Sequence, residues 1–461
     1  MLRNPLLVPD LRELLQAGED SALREFLAEY HPARVAEIIE DLDEAEGDAL
    51  YALLPGREQA GVMSYLDHER QERLVSAMTP TQAAALLHLM SHDDRADLVN
   101  RLDEDLVEQI LPHLAQAERD DIRRLASYEP GTAGAVMTTD YVTLPPRLTV
   151  REALDRVRQE APDREMIDYS YVVDTRRRLL GFVSLKRLIL ARPHAIIEDI
   201  MKHDAIVARV DEDQEAVART IDRYDLFAVP VLDDSDMLVG IVTHDDAMDI
   251  LRREQTKDIL AFGGVTSDSE GTDDHPYWQG SIINAVRRRI GWLLMLFFTG
   301  TITIFVLRSF KYVDQRFEHL NFDVFVPLLI GIGGNAGSQT VGTIIRGLAL
   351  GEISKEDGWR VLVREWLTGT MMGTMLGLIG FCFAWLMHGQ VRFAAVIGLT
   401  ILCICMWANS VGALVPLLAR RLGIDPALVS APLISTLVDA TGLVIYYLLA
   451  ILILINLQAW F

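Results

Sequence analysis

Cysteine is scarce in this chain. Three occur, Cys382, Cys403 and Cys405, and all fall in apolar stretches. None has a zinc-type spacing with histidine, so neither a disulfide framework nor a thiolate metal site is expected. Positive charge is equally short in the first part. Residues 1–288 hold 32 Lys and Arg against 57 Asp and Glu, whereas residues 289–461 hold 11 against 9. Such an acidic half repels nucleic acid and attracts cations, although a solvated acidic surface would read the same way. A phosphate-binding glycine loop, a nucleophile elbow and a metalloprotease helix motif are all missing, so no enzyme is expected. The opening residues lead into a charged helix rather than a leader's apolar core, so the first half is expected to remain in the cytoplasm.

Long apolar runs are abundant in the second half. Five are long enough to cross a bilayer: Ile290–Leu307, Val324–Leu350, Val361–Met387, Phe393–Leu418 and Ala427–Asn456. Pro327 and Pro432 suggest tilt or a kink in the second and fifth. Arg287–Arg289, Arg346, Lys355, Arg360, Arg364, Arg420 and Arg421 fall on one side of the membrane. Arg308, Lys311 and Arg316 dissent. The positive-inside rule then puts the N-terminus in the cytoplasm and the C-terminus outside a multi-pass cytoplasmic membrane protein.

Two spans carry unusual chemistry. The second holds Gly331, Gly333, Gly334, Asn335, Gly337, Ser338 and Gln339. Small residues allow close helix approach, and polar ones face protein or water. The fifth begins near Pro432 and carries Ser435, Thr436 and Asp439 at helical spacing. A carboxylate at mid-span costs roughly 2.5–3.5 kcal/mol on insertion scales, so it lines a pathway or is buried in a helix seam. Oxygen donors alone suit hard cations. Magnesium sheds water reluctantly and is held by one or two carboxylates, which one Asp439 per chain of a symmetric dimer would supply.

The soluble half has two patterns. Residues 30–125 repeat weakly every 24, aligning Leu42, Leu66 and Met90, and also Leu54, Met78 and Leu102. Stacked helical hairpins forming a solenoid-like superhelix are expected. Residues 137–258 contain two similar units. One holds Tyr171–Asp174 and Leu180–Leu185, the other Ala228–Asp233 and Leu238–Thr243, each reading as a hairpin followed by a helix. A further helix, Met248–Leu260, and an acidic linker running to Asp274 follow.

The doubled unit resembles a pair of CBS domains. That resemblance implies adenine nucleotide binding through a Ser or Thr followed three residues later by Asp. Thr243 and Asp246 keep the pattern, whereas Ser184 is followed by Arg187, which weakens the first site. The whole order resembles the MgtE family of magnesium channels. Tyr128, Glu129, Ala133, Gly134 and Met137 carry that likeness, with the Gly333–Gly337 run and Gln339, and with Asp425–Ser430 leading to Asp439–Gly442.

The resemblance implies five parts. Residues 1–130 form an acidic, magnesium-sensing superhelix, and 131–198 and 199–258 form the two CBS units. Residues 247–280 form a connecting helix and linker, and 281–461 a five-helix pore domain. It further implies a homodimer whose pore runs along the subunit interface, lined by the second and fifth spans through Gly334, Asn335, Gln339, Pro432, Ser435 and Thr436. Mg2+ is then both substrate, held at Asp439, and gating ligand. The implied gating ligands are Asp93 and Asp97 in the superhelix, and Asp213, Glu215, Asp225, Asp246 and Asp249 in the pair. Glu254 and Asp258 on the connecting helix and Asp425 on the loop facing it complete the set. Lys257 stands where the family can carry an acid, and Ala431 where an Asn can precede the pore proline. Two other readings remain. One is a gradient-coupled divalent cation carrier, which the single intramembrane acid read in the spans disfavours. The other is a membrane-anchored regulator, disfavoured by the polar second span.

Overall fold

The structure is a computed structural model that describes residues 8–161, 164, 166–266, 281–316, 320–354 and 356–455. Lys355, the linker from 267 to Asp274 and the span end at Asn456 lie outside the described residues. The chain divides into two compact units, Met1–Glu254 and Gln255–Phe461.

The first unit opens with short helices stacked as a superhelix. From Pro32 onward, helices start at Pro32, Glu44, Gly56, His68, Pro80, His92, Glu104 and Gln116, one every twelve residues. The 24-residue repeat is therefore a pair of twelve-residue steps. Each step ends on an apolar residue and is followed by a helix start. Leu42, Leu54, Leu66, Met90, Leu102 and Leu114 are all buried at those ends. Asp43 accepts from Glu46 N at 3.0 Å and Asp67 from Arg70 N at 2.8 Å, while Thr79 and Gln82 form a capping box. Such caps satisfy backbone N–H groups that a helix start leaves open. The apolar plug recurs at every step, and side-chain caps at only some of them. A single ten-residue helix would be marginal alone and gains its stability from stacking.

Two three-stranded sheets follow. The first has β1 (Tyr141–Leu144), β2 (Met166–Val173) and β3 (Leu179–Ser184), in that order. The second has β4 (Ala208–Arg209), β5 (Ala228–Leu232) and β6 (Leu238–Thr243). In each, the first two strands run parallel and the last two antiparallel. The expected hairpins are β2–β3 and β5–β6. Strands β1 and β4 were not foreseen, because four and two residues carry too little pattern. Every residue of β5 is buried, as expected of a central strand. Ala96 and Leu125 of the superhelix share a core with Val217, Ile221, Val229 and Val242 of the second sheet unit. The superhelix and this part of the pair are thus packed together. The helix after β6 runs His244–Phe262, four residues earlier and two later than expected.

Among the described residues, the second unit contains five helices long and apolar enough to span a membrane: Ile282–Val313, Phe322–Ala349, Gly358–His388, Val391–Arg421 and Ala431–Leu454. Neither Pro327 nor Pro432 kinks its span. Each lies in the first turn of its helix, where the missing N–H costs nothing. Pro416, inside the fourth helix, is the interior proline. The fifth span starts later than expected, because Pro426–Leu428 forms a separate 3-10 turn and Ser430 caps the helix proper. The second, fourth and fifth spans share one buried core with Ala336, Ile404, Ala408, Ile434, Val438 and Leu443. Glycines of the third span, Gly369, Gly373 and Gly377, lie against the backbone of the fourth.

Candidate metal pathway and sensor sites

Asp439 sits on the fifth span where it meets the second. Gly334 makes the contact, since a Cβ there would collide with the Ser435 hydroxyl and lie 3.5 Å from Asp439 Oδ1. Gly333 and Gly337 face Val438 and Ile434 in the same way. Glycine is needed here for close approach of the two helices. Asp439 is half-buried, and its Oδ1 has no hydrogen-bond partner. Ser435 lies one turn away. Thr436 turns its hydroxyl back to Pro432 O at 2.9 Å. Asn335, Gln339 and Thr343 of the second span are exposed and four residues apart, so they form a polar stripe on a helix otherwise suited to lipid. Lipid does not hydrogen-bond such groups, so this face calls for water or another protein surface. Ser338 donates to Ala431 O at 3.3 Å, tying the stripe to the base of the fifth span.

A second intramembrane acid exists, contrary to the sequence reading. Glu365, on the third span, accepts from Asn409 Nδ2 at 3.5 Å and from the Thr340 hydroxyl. Asn409 and Thr340 are buried. Glu365 was missed because it follows Arg364 near a span end and reads as flanking charge. The cluster joins the second, third and fourth spans behind the polar stripe.

In the first unit, acids of the helix His92–Arg101 and of the helix His244–Phe262 approach one another. Burial first, and then Asp245, Asp94 and Asp249, push the Asp246 carboxyl up to about 7 against the opposing Thr243 hydrogen bond. Thr243 Oγ1 donates to Asp246 Oδ2 at 2.6 Å. Tyr65 lies within the field of Asp245, Asp94 and Asp249 and is held above its usual value, chiefly by burial. Asp97 is exposed and flanked by Arg101, Asp94 and Arg253. Asp93 is buried. The structure thus brings Asp94 and Asp245 into the acidic group beside the expected Asp97, Asp246 and Asp249. Both additions are one member of an adjacent acid pair, and helix phase decides which member faces out.

The remaining acids have other surroundings. Asp213 caps its helix, accepting from Glu215 N at 2.9 Å and Ala216 N at 3.1 Å. Glu215 pairs with Arg219. Asp225 ends the same helix in a left-handed conformation, with φ 49°. Glu254 accepts from Gln214 Nε2 at 3.1 Å. Asp249 pairs with Arg252 at 3.3 Å. In the second unit Asp258 is half-buried, and Asp425 accepts from Ala427 N at 2.8 Å. Among the described residues, no three His, Cys, Asp or Glu side chains converge on one point within the single chain.

A polar, carboxylate-bearing seam in a helical membrane unit, preceded by an acidic superhelix and a paired α/β module, is the arrangement of a cation transporter. Comparison with known proteins agrees. Residues 326–449 match the MgtE family model, described as a divalent cation transporter. Residues 30–131 match the MgtE intracellular N domain, and 133–194 and 197–253 match CBS domains. The chain belongs to the MgtE family. It is 38% identical over 453 residues to the magnesium transporter MgtE of Thermus thermophilus, covering 97% of this chain and 98% of that one. It is 34% identical to the magnesium transporter MgtE of Enterococcus faecalis, covering 95% of each. Among solved structures, the cytosolic domain of the Mg2+ channel MgtE in complex with ATP matches with TM-score 0.51 and 37% identity. That match covers 53% of this chain and 99% of the other. The soluble part of a magnesium transporter matches with TM-score 0.50 and 36% identity, covering 54% and 97%.

Proposed function

We propose that this protein is a magnesium-selective channel in the cytoplasmic membrane, working as a homodimer that its own cytosolic acids close when magnesium is abundant. The observation that carries the reading is the exposed stripe of Asn335, Gln339 and Thr343 beside the unpartnered Asp439 Oδ1. Two such faces apposed across a two-fold axis would enclose a wet pathway with a carboxylate from each chain. Magnesium would pass hydrated, its waters donating to Asp439 and to the side-chain oxygens of Asn335 and Gln339. The N-terminus lies inside and the C-terminus outside.

Closure follows from charge. Without divalent ions, Asp94, Asp97, Asp245, Asp246 and Asp249 repel one another across the packed domains. Bound magnesium would neutralise them and favour the tighter arrangement. Asp213, Glu215, Asp225, Glu254, Asp258 and Asp425 would act in the same way, and Asp93 would bind only after its buried side chain turned outward. An ion shifts this balance only through higher affinity for the closed form. Lys257 would supply one fixed positive charge where an ion would otherwise be needed.

An adenine nucleotide in the paired module fits the Thr243–Asp246 hydrogen bond and the Tyr169 and Phe227 rings, 5.9 Å apart. Ser184 is engaged as a helix cap, accepting from Arg187 N at 3.3 Å. The solved relative complexed with ATP supports this part of the reading.

The pathway is tested by Asp439→Ala in purified protein reconstituted into liposomes. Loss of magnesium flux with the dimer intact on size exclusion is expected. Unchanged flux removes Asp439 from the pathway.

A further inference from the structure

The first three turns of the third span carry chemistry that the transport reading does not use. Trp359, Arg360, Val363, Arg364, Leu367 and Met371 recur at helical spacing along one face and line a shallow cavity of about 450 Å³. Trp359 is 74% exposed and Met371 65%. The opposite face is occupied, because Gly369, Gly373 and Gly377 pack on the fourth span. Glu365 also turns inward, to Asn409 and Thr340, and leaves Arg364 outward. The cavity therefore opens away from the helix packing, on a span that crosses a membrane. Its depth is graded. Trp359 and Arg360 sit at the helix start, Arg364 about 9 Å along the axis, and Met371 about 20 Å along. Arg421, at the end of the fourth span, brings its guanidinium within 3.4 Å of where a Cβ on Gly358 would lie. Two acids oppose this charge, Asp357 beside Arg360 and Glu365, which lies within the field of Arg364. Asp357 approaches Arg360 at 3.7 Å but is also held by the Ser354 N–H and hydroxyl.

We propose that this face binds an anionic phospholipid, its headgroup phosphate between Arg360 and Arg364, with Arg421 adjoining. One acyl chain would lie along Val363, Leu367 and Met371, with Trp359 at the headgroup level. Arginine matches phosphate oxygens by its planar fork. Tryptophan is favoured at the membrane–water boundary. The apolar wall below the two arginines selects a lipid over a soluble anion, which would gain nothing from it. Basic pockets at the membrane boundary recognise anionic headgroups, each base near the surface adding about fivefold to binding.

The test uses the full-length protein in nanodiscs of equal phosphatidylglycerol and phosphatidylcholine, extracted gently and weighed by native mass spectrometry. The wild-type chain should retain phosphatidylglycerol in preference. R360Q/R364Q should lose that preference about tenfold or more, while R308Q/K311Q, altering bases elsewhere in the same unit, should keep it. Millimolar inorganic phosphate should not displace the lipid. Three results overturn the proposal: an unchanged preference in R360Q/R364Q, an equal loss in R308Q/K311Q, or displacement by phosphate. Should the double variant fail to give a monodisperse protein, R364Q alone should lose about fivefold, and no loss there is equally decisive against it.

Discussion

Gly334 of the second span and Asp439 of the fifth are so close that a single added methyl at 334 would lie 3.5 Å from the carboxylate and overlap the Ser435 hydroxyl. This contact sets the separation of the two helices beside the only acid of the fifth span. Gly334→Ala should therefore reduce magnesium flux in liposomes at least tenfold while the protein still inserts, because the fifth span must shift to clear the methyl. Overpacking of this kind typically costs 1–3 kcal/mol. Full flux in the alanine variant would show that this contact does not shape the pathway.

Ser430 holds two groups at once. It is fully buried, caps the fifth span by accepting from Leu433 N at 3.3 Å, and accepts from Trp292 Nε1 of the first span at 3.0 Å. Ser430→Ala removes the cap and strands the indole N–H. A loss of roughly 1–2 kcal/mol is expected, seen as a lower melting temperature in detergent. Trp292→Phe should give the smaller part of that loss, since the cap remains.

Glu365 gives the buried Asn409 and Thr340 a half-buried partner. Glu365→Ala should destabilise the membrane unit by roughly 1–3 kcal/mol, and Glu365→Gln by less, because an amide still accepts from both. Equal melting temperatures for the two variants would show that the cluster contributes nothing as a hydrogen-bonded unit.

Asp246 makes the stability of the first unit sensitive to pH. Burial, aided by neighbouring acids, raises its carboxyl from the ordinary range to about 7 in the folded protein. The folded state therefore holds a proton that the unfolded state has already released at about pH 4, and stability from this residue falls as pH rises from about 4 to 7. Asp246→Asn should raise the melting temperature of the chelator-treated protein at pH 8 and change it little at pH 4. The reverse order would contradict the assigned burial.

Much of this architecture is legible in the residues, and the exceptions have physical causes. Leu42, Leu54, Leu66 and their successors mark the superhelix, but alternate helices differ enough that the repeat reads as 24 residues rather than twelve. Pro327 and Pro432 look like kinks in long apolar runs. Ser430 before Ala431 and Pro432 is the capping pattern that shows where the last helix begins, and the apolar residues at 427–429 conceal it. The Asp439 seam is legible because a mid-span carboxylate is costly in lipid and a run of glycines marks close helix approach. Glu365 and Asn409 are not, since their partners lie on other helices far away in the chain. For the acids, Asp94 and Asp245 enter the group through helix phase and domain packing, which no local spacing records.

The proposed pore is one that its own cytosolic domains close. The most direct measurement is magnesium flux through the purified protein in liposomes, without any proton or sodium gradient, while magnesium on the cytosolic side is stepped upward. Rapid flux at low magnesium that shuts off as the ion rises is expected. Flux that appears only with an imposed proton or sodium gradient would contradict it and establish a coupled carrier instead.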